Sequence, residues 1–177
     1  MGALAVTFVL SATTFAVSSG TAHASALYFE DGFERDPMTT WEWDMEGDGS
    51  AGFEFAAGMA RTGANNGWLT GRRGGASEKR WMDTAVIPRG AGAQCAAQIW
   101  VDAPYRTTVV LEMWTPSGGL RYSGTRTVNG GNYESVSTDR WPMFGEYKMQ
   151  FRIVLHGSGG ASEDWVRLDD LAVLCTW

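Results

Sequence analysis

The chain has 177 residues, a formal charge of −6 and only two cysteines. Nucleic acid and anionic membrane surfaces repel an acidic protein, so neither is an expected partner. Nine Trp and 23 Gly point to a β-protein with many tight turns and either a large aromatic core or an aromatic binding surface.

In chain order, the first stretch reads as an export signal. Residues 3–17 are small, apolar and uncharged, and Ala22-His23-Ala24 offers a small-x-small cleavage site. The run is too short and too weakly apolar for a membrane anchor, although no Lys or Arg precedes it. Residues 1–24 are therefore expected to be a cleaved signal peptide. Residues 25–177 are expected to form one secreted domain, a monomer with its own core, since no linker or internal repeat marks a second domain.

From there the pattern predicts strands over 27–34, 40–46, 52–57, 66–71, 80–87, 94–102, 107–115, 120–127, 132–137, 145–155 and 165–175. Turn-forming runs separate them, among them Gly47-Asp48-Gly49, Pro116-Ser117-Gly118-Gly119 and Asn129-Gly130-Gly131. Many short strands with regular turns make a sandwich or a barrel.

The three most regular strands suggest a functional face. Alternate side chains of a strand point to opposite sides. Cys95, Ala97, Ile99 and Val101 then oppose Gln98 and Trp100; Val109, Leu111 and Met113 oppose Glu112 and Trp114; Met149, Phe151, Ile153 and Leu155 oppose Gln150, Arg152 and His156. The apolar sets form one core. If the three strands share a sheet, Gln98, Trp100, Glu112, Trp114, Gln150 and Arg152 gather on its outer surface. Sugar rings offer C–H patches to indoles and hydroxyls to amides, carboxylates and guanidinium groups, so this composition suits a glycan. Trp41, Trp43, Trp81 and Trp165 read as core or strand-edge packing, and Trp68, beside Asn65, Asn66 and Gly67, reads as a loop residue able to line a rim.

Both chain ends mix β-type apolar residues with acids: Phe29-Glu30-Asp31-Gly32-Phe33-Glu34 and Trp165-Val166-Arg167-Leu168-Asp169-Asp170-Leu171. They are either solvated acids at strand ends or, if the first and last strands are neighbours, oxygen ligands for one hard cation. With Ala60-Arg61-Thr62-Gly63, Asn66-Gly67-Trp68-Leu69 and the strand Cys95 to Val101 in the same order, the chain resembles the calcium-stabilised, galactose-binding-like jelly-roll modules that bind polysaccharides outside the cell. The resemblance spans nearly all of 25–177. It implies an all-β sandwich of two antiparallel sheets, and a structural Ca2+ held by Glu34, Asp169 and carbonyls near Arg61. Glu30, Asp31 and Asp170 are the substitutes if the register slips. It also implies polysaccharide or oligosaccharide as the partner and no catalysis.

Cys95 and Cys175, the only cysteines of an exported chain, are expected to be disulfide-bonded, with a stabilisation of roughly 4–5 kcal/mol. Catalysis is the competing class. After the leader there is one His, His156, with no Gly-x-Ser-x-Gly or His-Glu-x-x-His motif. A carboxylate pair for glycoside hydrolysis, or a lyase with Tyr122 or His156 as base beside Arg152, remains compatible with the residues. So does a protein-binding role for the Trp face.

Overall fold

The computed structural model describes residues 25–35, 41–44, 49–71, 77–83, 94–142, 148–156 and 164–176. The expected leader, 1–24, lies outside this set. The strands are β1 (Ser25–Asp31), β2 (Trp41–Asp44), β3 (Ser50–Glu54), β4 (Asn66–Gly71), β5 (Ser77–Asp83), β6 (Gln94–Asp102), β7 (Thr107–Trp114), β8 (Leu120–Val128), β9 (Glu134–Ser137), β10 (Trp141–Pro142), β11 (Lys148–His156) and β12 (Asp164–Thr176). Every expected segment holds a strand. The addition is β10, two residues long, where Pro142 lacks the N–H that would continue the ladder.

The strands form two antiparallel sheets, a sandwich rather than a closed barrel. One has the order β10-β6-β12-β4-β3, with β1 also on β12 and β9 also on β6; the other runs β2-β5-β11-β7-β8. Alternation explains the layering. Cys95, Ala97, Ile99 and Val101 of β6 are buried, as are Leu111 and Met113 of β7 and Phe151, Ile153 and Leu155 of β11. Each large apolar side chain buried this way contributes about 1.5–3 kcal/mol. Trp41 belongs to this core as expected, stacked on Phe33 with ring centroids 5.3 Å apart. Its indole N–H donates to Asp31 Oδ2 at 2.9 Å, and Arg80 pairs with the same oxygen.

The axis of the larger sheet is the 13-residue β12. One edge pairs with β6 along the strand; the other is shared, with β4 on residues 164–168 and β1 on 171–176. The changeover falls at Asp169-Asp170, where the β6 register shifts and Asp170 takes φ 47°. A short polar residue tolerates that left-handed backbone, and the bulge turns its neighbours out of the ladder. Cys95 and Cys175 stand directly opposite each other on β6 and β12 and form the expected disulfide.

Candidate functional site

On the outer side of the five-stranded sheet, register builds rows across three strands. Gln150 on β11 faces Trp114 on β7 and, on its other side, Trp81 on β5. In the next row Arg152 faces Glu112 and Lys79. The third row sets Val154 beside Val110, both nearly buried. Trp114 Nε1–H donates to Glu112 Oε2 at 2.8 Å, and Arg152 Nε lies 3.8 Å from that oxygen. A carboxylate thus grips the indole by its edge and fixes the orientation of a half-buried ring. Cost already met in the free protein is not charged again on binding.

The premise that three strands share one sheet does not hold. β6 lies in the seven-stranded sheet, whereas β7 and β11 lie in the five-stranded one. Gln98 and Trp100 are therefore on the opposite outer surface from Glu112, Trp114, Gln150 and Arg152. The connection after β6 crosses the sandwich instead of closing a hairpin. Trp100 is also occupied: the Arg61 guanidinium sits 3.8 Å from its ring centroid, so that ring face is already stacked. Four of the six residues form one face; the other two do not join it.

Trp68 differs from expectation, since it lies within β4 and not on a loop. Of the two readings of Trp165, core or strand-edge packing, the core one does not hold: both indoles face outward, half-buried, on the seven-stranded sheet. The signal was legible in β12, where Trp165 and Arg167 alternate with the apolar Val166 and Leu168. The side chains of Trp43 and Trp81 lie outside the described residues.

The acids of the two chain ends meet on one loop. Glu34 Oε1 accepts the N–H groups of Ala64 and Asn65 at 2.9 and 3.2 Å. Asp169 Oδ2 accepts those of Arg61 and Thr62 at 2.7 and 3.1 Å, and its Oδ1 accepts that of Asp170. Asp170 pairs with the Arg61 guanidinium and accepts the Thr62 hydroxyl. Glu34 can reach the loop because residue 63 is Gly, whose Cβ would lie 2.0 Å from Oε1. Asp169 is fully buried on backbone donors, and burial pushes its carboxyl up to about 6, with the Asp170 charge adding to the rise.

This is a hard-oxygen set of the type calcium takes, and Asp169 is a buried charge that a cation would neutralise. Among the described residues no three Asp, Glu, His or Cys side chains gather tightly enough to hold an ion, and the Glu34 and Asp169 carboxylates accept backbone N–H groups; an ion at this place would need loop carbonyls for its other ligands. Of Arg61, the contacts seen are those of its backbone N–H and guanidinium.

Among solved structures the chain is similar to sugar-binding modules. The module TmCBM61, in complex with β-1,4-galactotriose, has a TM-score of 0.61 at 15% identity over 80% of this chain and 92% of its own. The CBM22-1 xylan-binding domain of Paenibacillus barcinonensis Xyn10C gives 0.60 at 12%, over 88% and 97%. The C-terminal family 22 carbohydrate binding module of Clostridium thermocellum Xyn10B gives 0.57 at 14%, over 83% and 91%. The chain therefore has the fold of β-sandwich carbohydrate-binding modules. No protein-family model matches it, nor does any curated protein.

Proposed function

We propose that the protein is a secreted, non-catalytic carbohydrate-binding module that holds extracellular polysaccharide on the outer face of its five-stranded sheet. The observation that carries this reading is the row Trp114–Gln150–Trp81 laid beside Glu112–Arg152. It sets an amide between two tryptophan positions and a charge pair alongside, which is what a sugar's apolar ring face and its rim of hydroxyls need. The neighbours' ligands, galactotriose and xylan, make neutral oligosaccharides the probes. Export through residues 1–24 is in keeping with the Cys95–Cys175 disulfide, a bond typical of oxidising compartments. Calcium, in this reading, is held by Glu34 and Asp169 with loop carbonyls near Arg61. It ties both chain ends to residues 61–65 and supplies charge neutralisation, not chemistry. The domain acts as a monomer.

Calorimetric titration with xylohexaose and with β-1,4-galactotriose tests the reading. Trp114→Ala should weaken binding about tenfold or more, since an aromatic platform is worth roughly 1–3 kcal/mol. No release of reducing ends should occur. Binding indifferent to Trp114, or turnover of either sugar, overturns it.

A further inference from the structure

The seven-stranded sheet carries a second aromatic depression on its outer side. It encloses about 350 Å3 and is lined by Phe53, Glu54, Trp68, Thr70, Trp165 and Arg167. Register places Arg167 opposite Trp68 and Trp165 opposite Thr70, so the two indoles are diagonal neighbours on adjacent strands, with roughly 7–8 Å between their backbones. The Nε1–Cζ2 edge of Trp68 lies over Gly52, where a Cβ would come within 2.1 Å of Cζ2. Glycine at that place allows the ring to reach across β3.

The polar groups are fixed. Arg167 Nε donates to Glu54 Oε2 at 2.7 Å and Nη2 to Oε1 at 3.4 Å. Its Nη1 lies 3.7 Å from Asp102 Oδ2, and its Cζ stands 4.5 Å from the Trp165 ring centroid. Asn66 Nδ2 also donates to Glu54. The guanidinium holds the Glu54 carboxyl below its ordinary range. Two indoles thus stand beside carboxylate and guanidinium edges held in place before any ligand arrives.

We infer that this depression is a second sugar site, taking one or two residues of a neutral glycan, so that the domain binds polysaccharide from opposite faces at once. The occupant follows from the lining. An apolar ligand would desolvate the Glu54–Arg167 pair without replacing its water, whereas sugar hydroxyls can bond to its free lone pairs and N–H groups. A uronate would meet two carboxylates, Glu54 and Asp102, against one guanidinium. The depression is argued from its own lining, but the two-faced arrangement rests on the proposed Trp114 site as well.

Titration of xylohexaose and β-1,4-galactotriose into the parent should give about two sites per chain for at least one sugar. Trp165→Ala should remove one and Trp114→Ala the other, and the double variant should bind neither. The parent should turn a soluble xylan or galactan solution turbid, and each single variant should fail to do so. Glu54→Gln, which preserves shape, serves where melting shows that Trp165→Ala is misfolded, and should weaken the second site at least threefold. A single site that Trp114→Ala abolishes overturns this inference and leaves the proposed function standing. A single site that only Trp165→Ala abolishes overturns the two-faced arrangement and moves the proposed site. No binding of either sugar overturns both.

Discussion

The two outer faces of the sandwich use the same residue types in opposite ways. On the five-stranded sheet a carboxylate, Glu112, holds Trp114 by its N–H edge, which keeps the ring face out of that contact. On the seven-stranded sheet a cation, Arg167, rests on the face of Trp165, and a carboxylate holds the cation in turn. An edge-held indole is a stacking platform; a face-held one is a wall beside a hydrogen-bonding group. Affinity should accordingly come mainly from the first face and selectivity from the second. The seven-stranded sheet also carries the disulfide and the loop that Glu34 and Asp169 hold. Tyr133 closes this side, its hydroxyl donating to the Met59 carbonyl at 2.9 Å, and burial, with the Asp169 charge next, raises its pKa.

The largest break in that asymmetry should come from the staple. Replacing Cys95 and Cys175 by Ser should cost about 2–5 kcal/mol in urea denaturation. Because the bond joins β6 to β12, the Trp165 side should lose ligand before the Trp114 side does; simultaneous loss would show that the sheets do not differ. Asp169→Asn comes next, at about 1–3 kcal/mol, since the amide has one acceptor oxygen and its NH2 must face either the Arg61 and Thr62 N–H groups or that of Asp170. Its pH signature is specific. The folded pKa, about 6, stands above the ordinary 3.8, so the folded state keeps a proton that the unfolded chain has lost. In chelator, the contribution of Asp169 to stability should therefore fall as pH rises from about 4 to 6 and stay flat above. Bound calcium would depress the same pKa and reverse the slope. Melting temperatures that follow one slope with and without calcium would count against the ion.

Gly52→Val sharpens the contrast without touching either charge network. Its side chain should lift Trp68 off β3 at a cost of about 1–3 kcal/mol, and oligosaccharide titration should show the second site lost and the Trp114 site intact. The smallest effect should belong to Glu112→Ala. Releasing the Trp114 N–H should weaken binding about three- to tenfold, near 0.5–1.5 kcal/mol, while stability falls by about 1 kcal/mol, the worth of a partly buried hydrogen bond. Equal affinity in Glu112→Ala and parent would mean that the edge contact does not orient the ring.

Much of this is legible in the sequence. The period of two in residues 94–101, 107–115 and 147–156 separates inner from outer side chains locally, and Gly-, Asn- and Pro-rich runs end the strands, so each expected strand is present. Cys95 and Cys175 both sit on core-facing positions, and as the only cysteines they had one pairing available. Glu34 and Asp169 do reach the same loop, although backbone N–H groups are the partners seen.

What alternation cannot carry is sheet membership. It tells which side of β6 is polar, but not whether that side looks out from the same sheet as β7 or from the opposite one. Consecutive strands are usually neighbours, which would set Trp100 beside Trp114. Instead residues 103–106 carry the chain from the seven-stranded to the five-stranded sheet, so the buried faces of β6 and β7 pack into the core from opposite layers. The sequence by itself determined the strands, the disulfide and the residue types of the proposed binding surface, since these depend on local period and composition. Only the tertiary structure decided that the tryptophans divide between two outer faces and that Arg61 covers Trp100, because those follow from which layers pack together across the core.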